Sequence, residues 1–386
     1  MSTSSSSSPY SNSDVTNNHA VIVSSSRYWF NYRHINNALA FYQLVKANGI
    51  PDENIILFLA DDVPSNARNP FKNGMYWNGI DDSRTLYDAS IEIDYRGEDV
   101  TVENLVRVLL GRQGEASSTS SSGQQRRHLM TDENSNILIF LTGHGGDQFF
   151  KFQDIEEITS EEIASVLEEM HRRKRYKEIL LVADTCQAFT LGDHITAPNV
   201  MVIGSSLRGE SSYAHHSDTK LGLSVMERYT HAFVQFLKSN KQIKGVLTPG
   251  LTIRKAMVEP YSFAQQRAHV GFREDLMQRR TVDEVLLSDF FFNNQLLHKQ
   301  QQQQQLNQNQ TRLVSQNALP IRPIGRLDMP TTTKPKSTAR RMIIDQQPAR
   351  EEYKVELVPV YNPSDPPFLA AVVILLSFVM VLSKRT

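Results

Sequence analysis

An α/β fold, a mostly parallel central sheet flanked by helices, is predicted by three observations. The apolar run Ile179–Ala183 stops abruptly at Asp184-Thr185-Cys186. A second run, Ile137–Leu141, stops in the same way at Thr142-Gly143-His144-Gly145-Gly146. Short apolar runs with polar ends read as buried strands, and segments of helical periodicity lie between them. In open α/β sheets, ligands bind at the carboxyl ends of strands, which is where the two polar clusters fall.

In chain order, residues 1–18 are rich in Ser and Asn and are expected to be disordered. They hold neither a basic n-region nor an apolar h-region, so they do not read as a secretory signal. His19–Ser24 is the first strand. It runs into Ser25–His34 and then a helix over Ile35–Asn48, with Leu39, Phe41, Tyr42, Leu44 and Val45 apolar and Gly49 and Pro51 closing it. Asn54–Leu59 is the second strand, and Asp61–Arg84, rich in Asn, Pro and Gly, reads as an irregular excursion. Ile91–Asp94 alternates, placing Glu92 and Asp94 on one face of an extended segment. Thr101–Leu110 is a second helix ending at Gly111, and 113–135 reads as a mobile insertion.

Gln148–Gln153 alternates as a short hairpin would. Thr159 and Glu162 form a capping box for a helix running to about Arg173, whose basic end suits the helix dipole. Asn199–Ile203 is a further strand, ending at Gly204-Ser205-Ser206. Ser224–Leu237 is helical, with Val225, Tyr229, Phe233, Phe236 and Leu237 on one side, and Glu284–Phe292 reads as a last strand. The folded domain is thus expected over 19–292, followed by a Gln- and Pro-rich linker over 293–365, where Asn309 is the N-glycosylation acceptor. Residues 366–383 are almost wholly apolar, near the lower limit of the ~17–25 needed to span a bilayer. Lys384 and Arg385 follow, while Glu351, Glu352, Glu356 and Asp365 precede. The positive-inside rule then puts 384–386 in the cytosol and the large domain in the lumen.

The formal net charge of −1 argues against nucleic acid as a partner. Cys186 is the single cysteine, so no intrachain disulfide forms. A lone cysteine packs readily as a small hydrophobe. If the strands before Cys186 and His144 are parallel neighbours, however, thiol and imidazole emerge at one sheet edge, where the imidazole can generate the reactive thiolate. The Gly145 N–H would face a developing oxyanion. On the same edge, Asn31 either orients His144 as a third group or makes a turn. Arg33, His34, Ser205 and Ser206 would flank the pocket. Asp52, Glu92 and Asp94 together carry the oxygen ligands a hard cation such as Ca²⁺ takes, although spacing alone reads as a solvated strand face.

Phe-Asn-Tyr-Arg-His (30–34), Thr-Gly-His-Gly-Gly (142–146) and Asp-Thr-Cys-Gln (184–187), with Leu-Ala-Asp-Asp (59–62), Ile-Asp-Tyr-Arg-Gly (93–97) and Met-Glu-Arg-Tyr-Thr (226–230), carry a resemblance. From His19 to Phe292 the sequence resembles the GPI-anchor transamidase branch of the legumain-like cysteine peptidases. The resemblance implies a caspase-like α/β sandwich, Cys186 as nucleophile, His144 as general base and acid, and Asn31 as orienting group. It also implies Ca²⁺ held by Asp52, Glu92 and Asp94, and pocket roles for Ser205, Ser206 and Asp218.

By the same resemblance the chain would cleave the C-terminal attachment signal of precursor proteins through a thioester. It would transfer the carbonyl to the ethanolamine amine of a GPI lipid, in the endoplasmic reticulum membrane, with other transamidase subunits as partners. Ser65 stands where relatives often have a cysteine, which implies noncovalent assembly. A luminal enzyme needs an entry route, so a further N-terminal segment is expected. A hydrolytic legumain-type endopeptidase and an anchored inactive scaffold are the competing classes.

Overall fold

The structure is a computed structural model describing residues 17–77, 85–88, 90–112, 127–215, 217–239 and 250–293. The linker and apolar stretch expected beyond residue 293 lie outside the described residues, as do residues 1–16 and 113–126. Among the described residues no helix is long and apolar enough to cross a membrane.

The strands are β1 Asn17–Ser24, β2 Ile55–Leu59, β3 Tyr95–Arg96, β4 Ser135–Thr142, β5 Gly145–Gly146, β6 Phe149–Phe152, β7 Glu156–Thr159, β8 Glu178–Asp184, β9 Val200–Gly204, β10 Ser217–Asp218, β11 Leu223–Ser224 and β12 Gly271–Arg273. The helices are α1 Tyr32–Ala47, α2 Val102–Leu109, α3 Ser160–Arg172, α4 Arg228–Ser239, α5 Ile253–Met257, α6 Phe263–Gln266 and α7 Ser288–Phe291. A seven-stranded sheet runs β12-β9-β8-β4-β1-β2-β3, parallel except for β12 against β9.

Alternate residues of each strand feed opposite faces. Ala20, Ile22, Leu138, Phe140, Leu180 and Val182 pack beneath α1 and α4, where Phe41 stacks on Phe140 at 3.7 Å. Val21, Val23, Ile137, Ile139, Ile179 and Leu181 pack beneath α2 and α3. Both faces are covered, which is why the strands read as continuous apolar runs. The Thr159–Glu162 capping box opens α3 as expected.

From β1 the chain moves outward to β2 and β3, then returns to the other side of β1 for β4, β8 and β9. The order reverses between β1 and β4, creating a crevice at the carboxyl ends, the place where such sheets bind ligands.

Three expectations are corrected. Glu284–Phe292 is not a strand: a turn at Val282–Glu284, capped by Thr281, leads into α7. Phe290 and Phe291 are both buried; a short apolar run does not separate a strand from a buried helix by period. The helix expected from Ser224 begins at Arg228, because Leu223–Ser224 pairs with Ser217–Asp218 in a hairpin. Within the insertion expected to be mobile, Leu129 is buried in the core and Arg127 is bonded to the body of the domain.

Candidate active site

β4 and β8 are parallel neighbours in the register Thr142↔Asp184. His144 and Cys186 each lie two residues past that pair, on adjacent strand ends. The packing of Gly145 ties them together: a Cβ there would meet the Oγ1 of Thr185, the residue before Cys186, at 2.7 Å. Real Cβ atoms essentially never approach so closely, so glycine is required for the His144 turn to lie against the cysteine turn. Both Cys186 and His144 are half-buried, and the thiol is free.

Asn31 occupies the N-cap position of α1, where asparagine ordinarily bonds the first turn. Here its side chain makes no cap. Its Nδ2 donates to the Arg27 carbonyl at 2.6 Å, and its Oδ1 lies 2.9 Å from His144 Nε2. An amide oxygen only accepts, so Nε2 carries the proton and Nδ1 is left with its lone pair. Burial lowers the His144 pKa, with the positive charge of Arg33 acting in the same direction. The imidazole therefore stays neutral, and able to take a proton, below the ordinary histidine value of about 6.5. The acid limb of a kcat/KM profile is expected below that pH, and Arg33→Ala should move it upward; a pH–rate series on both proteins checks this.

Arg33 does not point freely into a pocket. Its Nε donates to Glu227 Oε1 at 2.6 Å, and its Nη1 to the Phe30 carbonyl at 2.9 Å. His34 is 1% exposed, with its Nε2 3.3 Å from Glu227 Oε1 and its ring edge-on to His144 at 5.0 Å. It lies behind the catalytic edge, not along an open wall. Ser205 and Ser206 are buried too, and their hydroxyls both reach the Thr185 carbonyl, at 3.4 Å and 2.8 Å. They fasten the cysteine turn from below. Asp218 accepts from Lys220 and Leu221 backbone N–H groups and closes its own hairpin.

Two carboxylates to which the sequence assigned no site role, Glu227 and Asp184, sit beneath the site. Glu227 is almost fully buried, and burial raises its pKa while Arg33 opposes the rise. Asp184, wholly buried, accepts from Ser212 and Thr230, and burial pushes its pKa up to about 6. Glu227 lies in a segment whose apolar periodicity marks only the helix face, so only its place in Met-Glu-Arg-Tyr-Thr pointed to it.

The three carboxylates expected to hold Ca²⁺ do not converge on one point: Glu92 and Asp94 share Arg127, while that of Asp52 faces Lys46. Among the described residues no group of three or more His, Cys, Asp or Glu side chains is placed to hold a metal. The Asp52 carboxylate faces Lys46 at 2.6 Å and the Tyr42 hydroxyl at 2.8 Å. Asp94 faces Arg127 at 2.7 Å, and Glu92 is 3.3 Å from the same guanidinium. Arg127 also donates to the Asp52 and Ile55 carbonyls at 2.6 and 3.2 Å. The cation these oxygens surround is Arg127, a donor arrangement that fits a guanidinium and not a three-carboxylate metal site. Nor is Asp94 on a solvated face: its side chain is 2% exposed and it accepts from the Leu57 N–H.

A lone thiol, an imidazole held in one tautomer and a glycine turn, set at the carboxyl ends of a mostly parallel sheet, define a protein of the cysteine-peptidase type. The chain belongs to the Peptidase C13 family, whose profile matches residues 18–283. It is 48% identical over 275 residues to a Saccharomyces cerevisiae protein named GPI-anchor transamidase, covering 71% of this chain and 64% of that one. It is 44% identical to the Schizosaccharomyces pombe protein of the same name, covering 72% and 70%, and 42% identical to that of Mus musculus, covering 71% and 66%. The match thus spans about two thirds of the length of these relatives. Among solved structures, caspase-1 from Spodoptera frugiperda aligns with 71% of this chain and 92% of that one, at 10% identity and a TM-score of 0.37.

Proposed function

We propose that this chain is the catalytic subunit of a GPI transamidase. The observation that carries the reading is the 42–48% identity to proteins named GPI-anchor transamidase, beside a family match over residues 18–283 that holds Asn31, His144 and Cys186. In this reading His144 Nδ1 takes the Cys186 proton while Asn31 holds Nε2–H. The thiolate attacks the carbonyl at the attachment site of a precursor, and the Gly145 N–H faces the oxyanion. Protonated His144 returns its proton to the leaving amine, the C-terminal signal peptide departs, and a thioester remains. The ethanolamine amine of a GPI lipid, deprotonated by His144, then attacks the thioester and restores the thiol. An amine outcompetes water only when it is positioned, which raises its effective concentration.

Arg33, the more exposed of the two residues on Glu227, is the pocket member best placed to meet the precursor chain. The reading includes an endoplasmic-reticulum membrane setting, a single span over 366–383 with the domain luminal and 384–386 cytosolic, and noncovalent assembly with other transamidase subunits. The chemistry calls on no cofactor, and a structural Ca²⁺ would enter the reading only with Arg127 withdrawn from its oxygens.

Hydrazine presented to membranes carrying the complex tests transfer: precursor hydrazide without free acid is the expected product. Free acid as the main product would replace transfer with legumain-type hydrolysis. Protease protection of the large domain in microsomes reports its side of the membrane.

A further inference from the structure

The turn that carries Cys186 is strained. Gln187, the next residue, is non-glycine in the left-handed region at φ 53°. Such a conformation persists only where its surroundings impose it. Besides Thr190, whose N–H and hydroxyl both donate to the Gln187 carbonyl, the restraints come from residues 205–210, which follow β9. On one side of the cysteine, the Thr185 carbonyl accepts from Ser206 Oγ at 2.8 Å. On the other, Gln187 N–H donates to the Glu210 carbonyl at 2.9 Å, and Gln187 Oε1 accepts from Gly209 N–H at 2.8 Å.

The clamp on that segment is the Glu210 carboxylate. Its Oε2 accepts from the N–H of Leu207 at 2.9 Å, closing the loop on itself, and from the N–H of His269 at 2.8 Å. Its Oε1 lies 2.6 Å from His269 Nδ1. His269 sits two residues before Gly271, which pairs with Gly204 in the central sheet. One carboxylate therefore anchors the nucleophile's turn to the sheet edge. Arg208, in the same loop, binds Asp147 beyond the His144 turn and Asp193, so the loop touches both halves of the site.

We propose that Glu210 is a positioning residue, acting through Gln187 to hold the Cys186 thiol against His144. This rests on the Cys186–His144 pair proposed above. The geometry predicts an outcome for each substitution. Glu210→Ala frees residues 207–210 and lets the thiol drift; a misplacement near 1 Å costs about 100-fold in rate. Glu210→Gln keeps an oxygen for both backbone N–H groups and presents an amide N–H to His269 Nδ1, so it restores the clamp.

The test uses the full chain in its membrane complex. The rate of Cys186 alkylation by iodoacetamide at a fixed pH near neutrality is followed by mass spectrometry of the Cys186 peptide, alongside turnover. Glu210→Ala is expected to lower kcat at least about tenfold with KM little changed, and to slow alkylation, because a thiol moved away from its base forms less thiolate. Glu210→Gln should return both to wild type, and His269→Ala should slow alkylation by less. An unchanged alkylation rate in Glu210→Ala, or failure of Gln to restore it, overturns the proposal. If the Ala variant does not assemble, the His269→Ala rate decides by the same criterion. An alkylation rate insensitive to His144→Ala would instead sink the thiol–imidazole pair itself, so the two failures are distinguishable.

Discussion

Cys186→Ser is expected to abolish transfer, with turnover falling on the order of 10⁴-fold or more, while the fold stays intact. Replacing a nucleophile that acts as a unit with its base removes nearly all of the rate the unit supplies. The thiol is half-buried, so substitution leaves no sizeable cavity, and stability should change by no more than about 0.5 kcal/mol. His144→Ala should cost nearly as much, and the double variant little more than either alone, because in the proposed mechanism the two residues perform one step. Single-turnover release of signal peptide in membranes measures the loss, and denaturant unfolding measures stability. Transfer persisting in Cys186→Ser at more than a few per cent would remove the thiol from the mechanism. A complex that assembles normally and transfers nothing would exclude a purely scaffolding role.

Glu227→Ala should be the most destabilising single change near the site, by about 3–5 kcal/mol, the usual cost of removing one partner of a buried ion pair. Arg33, whose side chain is 19% exposed, is left without its carboxylate, although the Phe30 carbonyl still accepts from it. His34 loses its ring contact at the same time. The effect should reach the chemistry, because Arg33 Nη1 also lies 3.5 Å from Asn31 Oδ1, the atom that holds His144. Equilibrium unfolding in urea gives the stability loss, and a variant within 1 kcal/mol of wild type would show the pair to be dispensable. The Arg33→Ala, Glu227→Ala double variant should recover part of the loss, because it leaves no charge unpaired.

The candidate site was legible where function and strand pattern coincide. Cys186 and His144 each stop an apolar run at a glycine-rich or polar cluster, and a strand end is visible in a linear sequence. Asn31 was legible as a residue between the first strand and the first helix. The residues alone left its use open between orienting His144 and forming a turn, and the fold brings its Oδ1 to 2.9 Å from His144 Nε2. Arg33 and His34 were legible as members of a short motif, but a motif says nothing of which way a side chain turns. Both turn inward, because Glu227, 194 residues away from Arg33, offers a buried carboxylate. The carboxylates Asp52, Glu92 and Asp94 read as a solvated face on spacing and as one cation site only through the resemblance; in the fold Lys46 pairs with Asp52, and Arg127 with Glu92 and Asp94.

Sequence by itself determined the buried strands β1, β2, β4, β8 and β9, their apolar continuity, the helix between the first two, and the two polar clusters that carry His144 and Cys186. It could do so because these are local properties: burial on both sheet faces demands unbroken apolar runs, and a helix shows its period. Tertiary structure alone decided which strands are neighbours, that the order reverses between β1 and β4, and that Glu227 and Glu210 stand behind the site. Those facts depend on contacts between segments up to 194 residues apart. Nothing in the chemistry of a single stretch specifies which distant stretch will complete it.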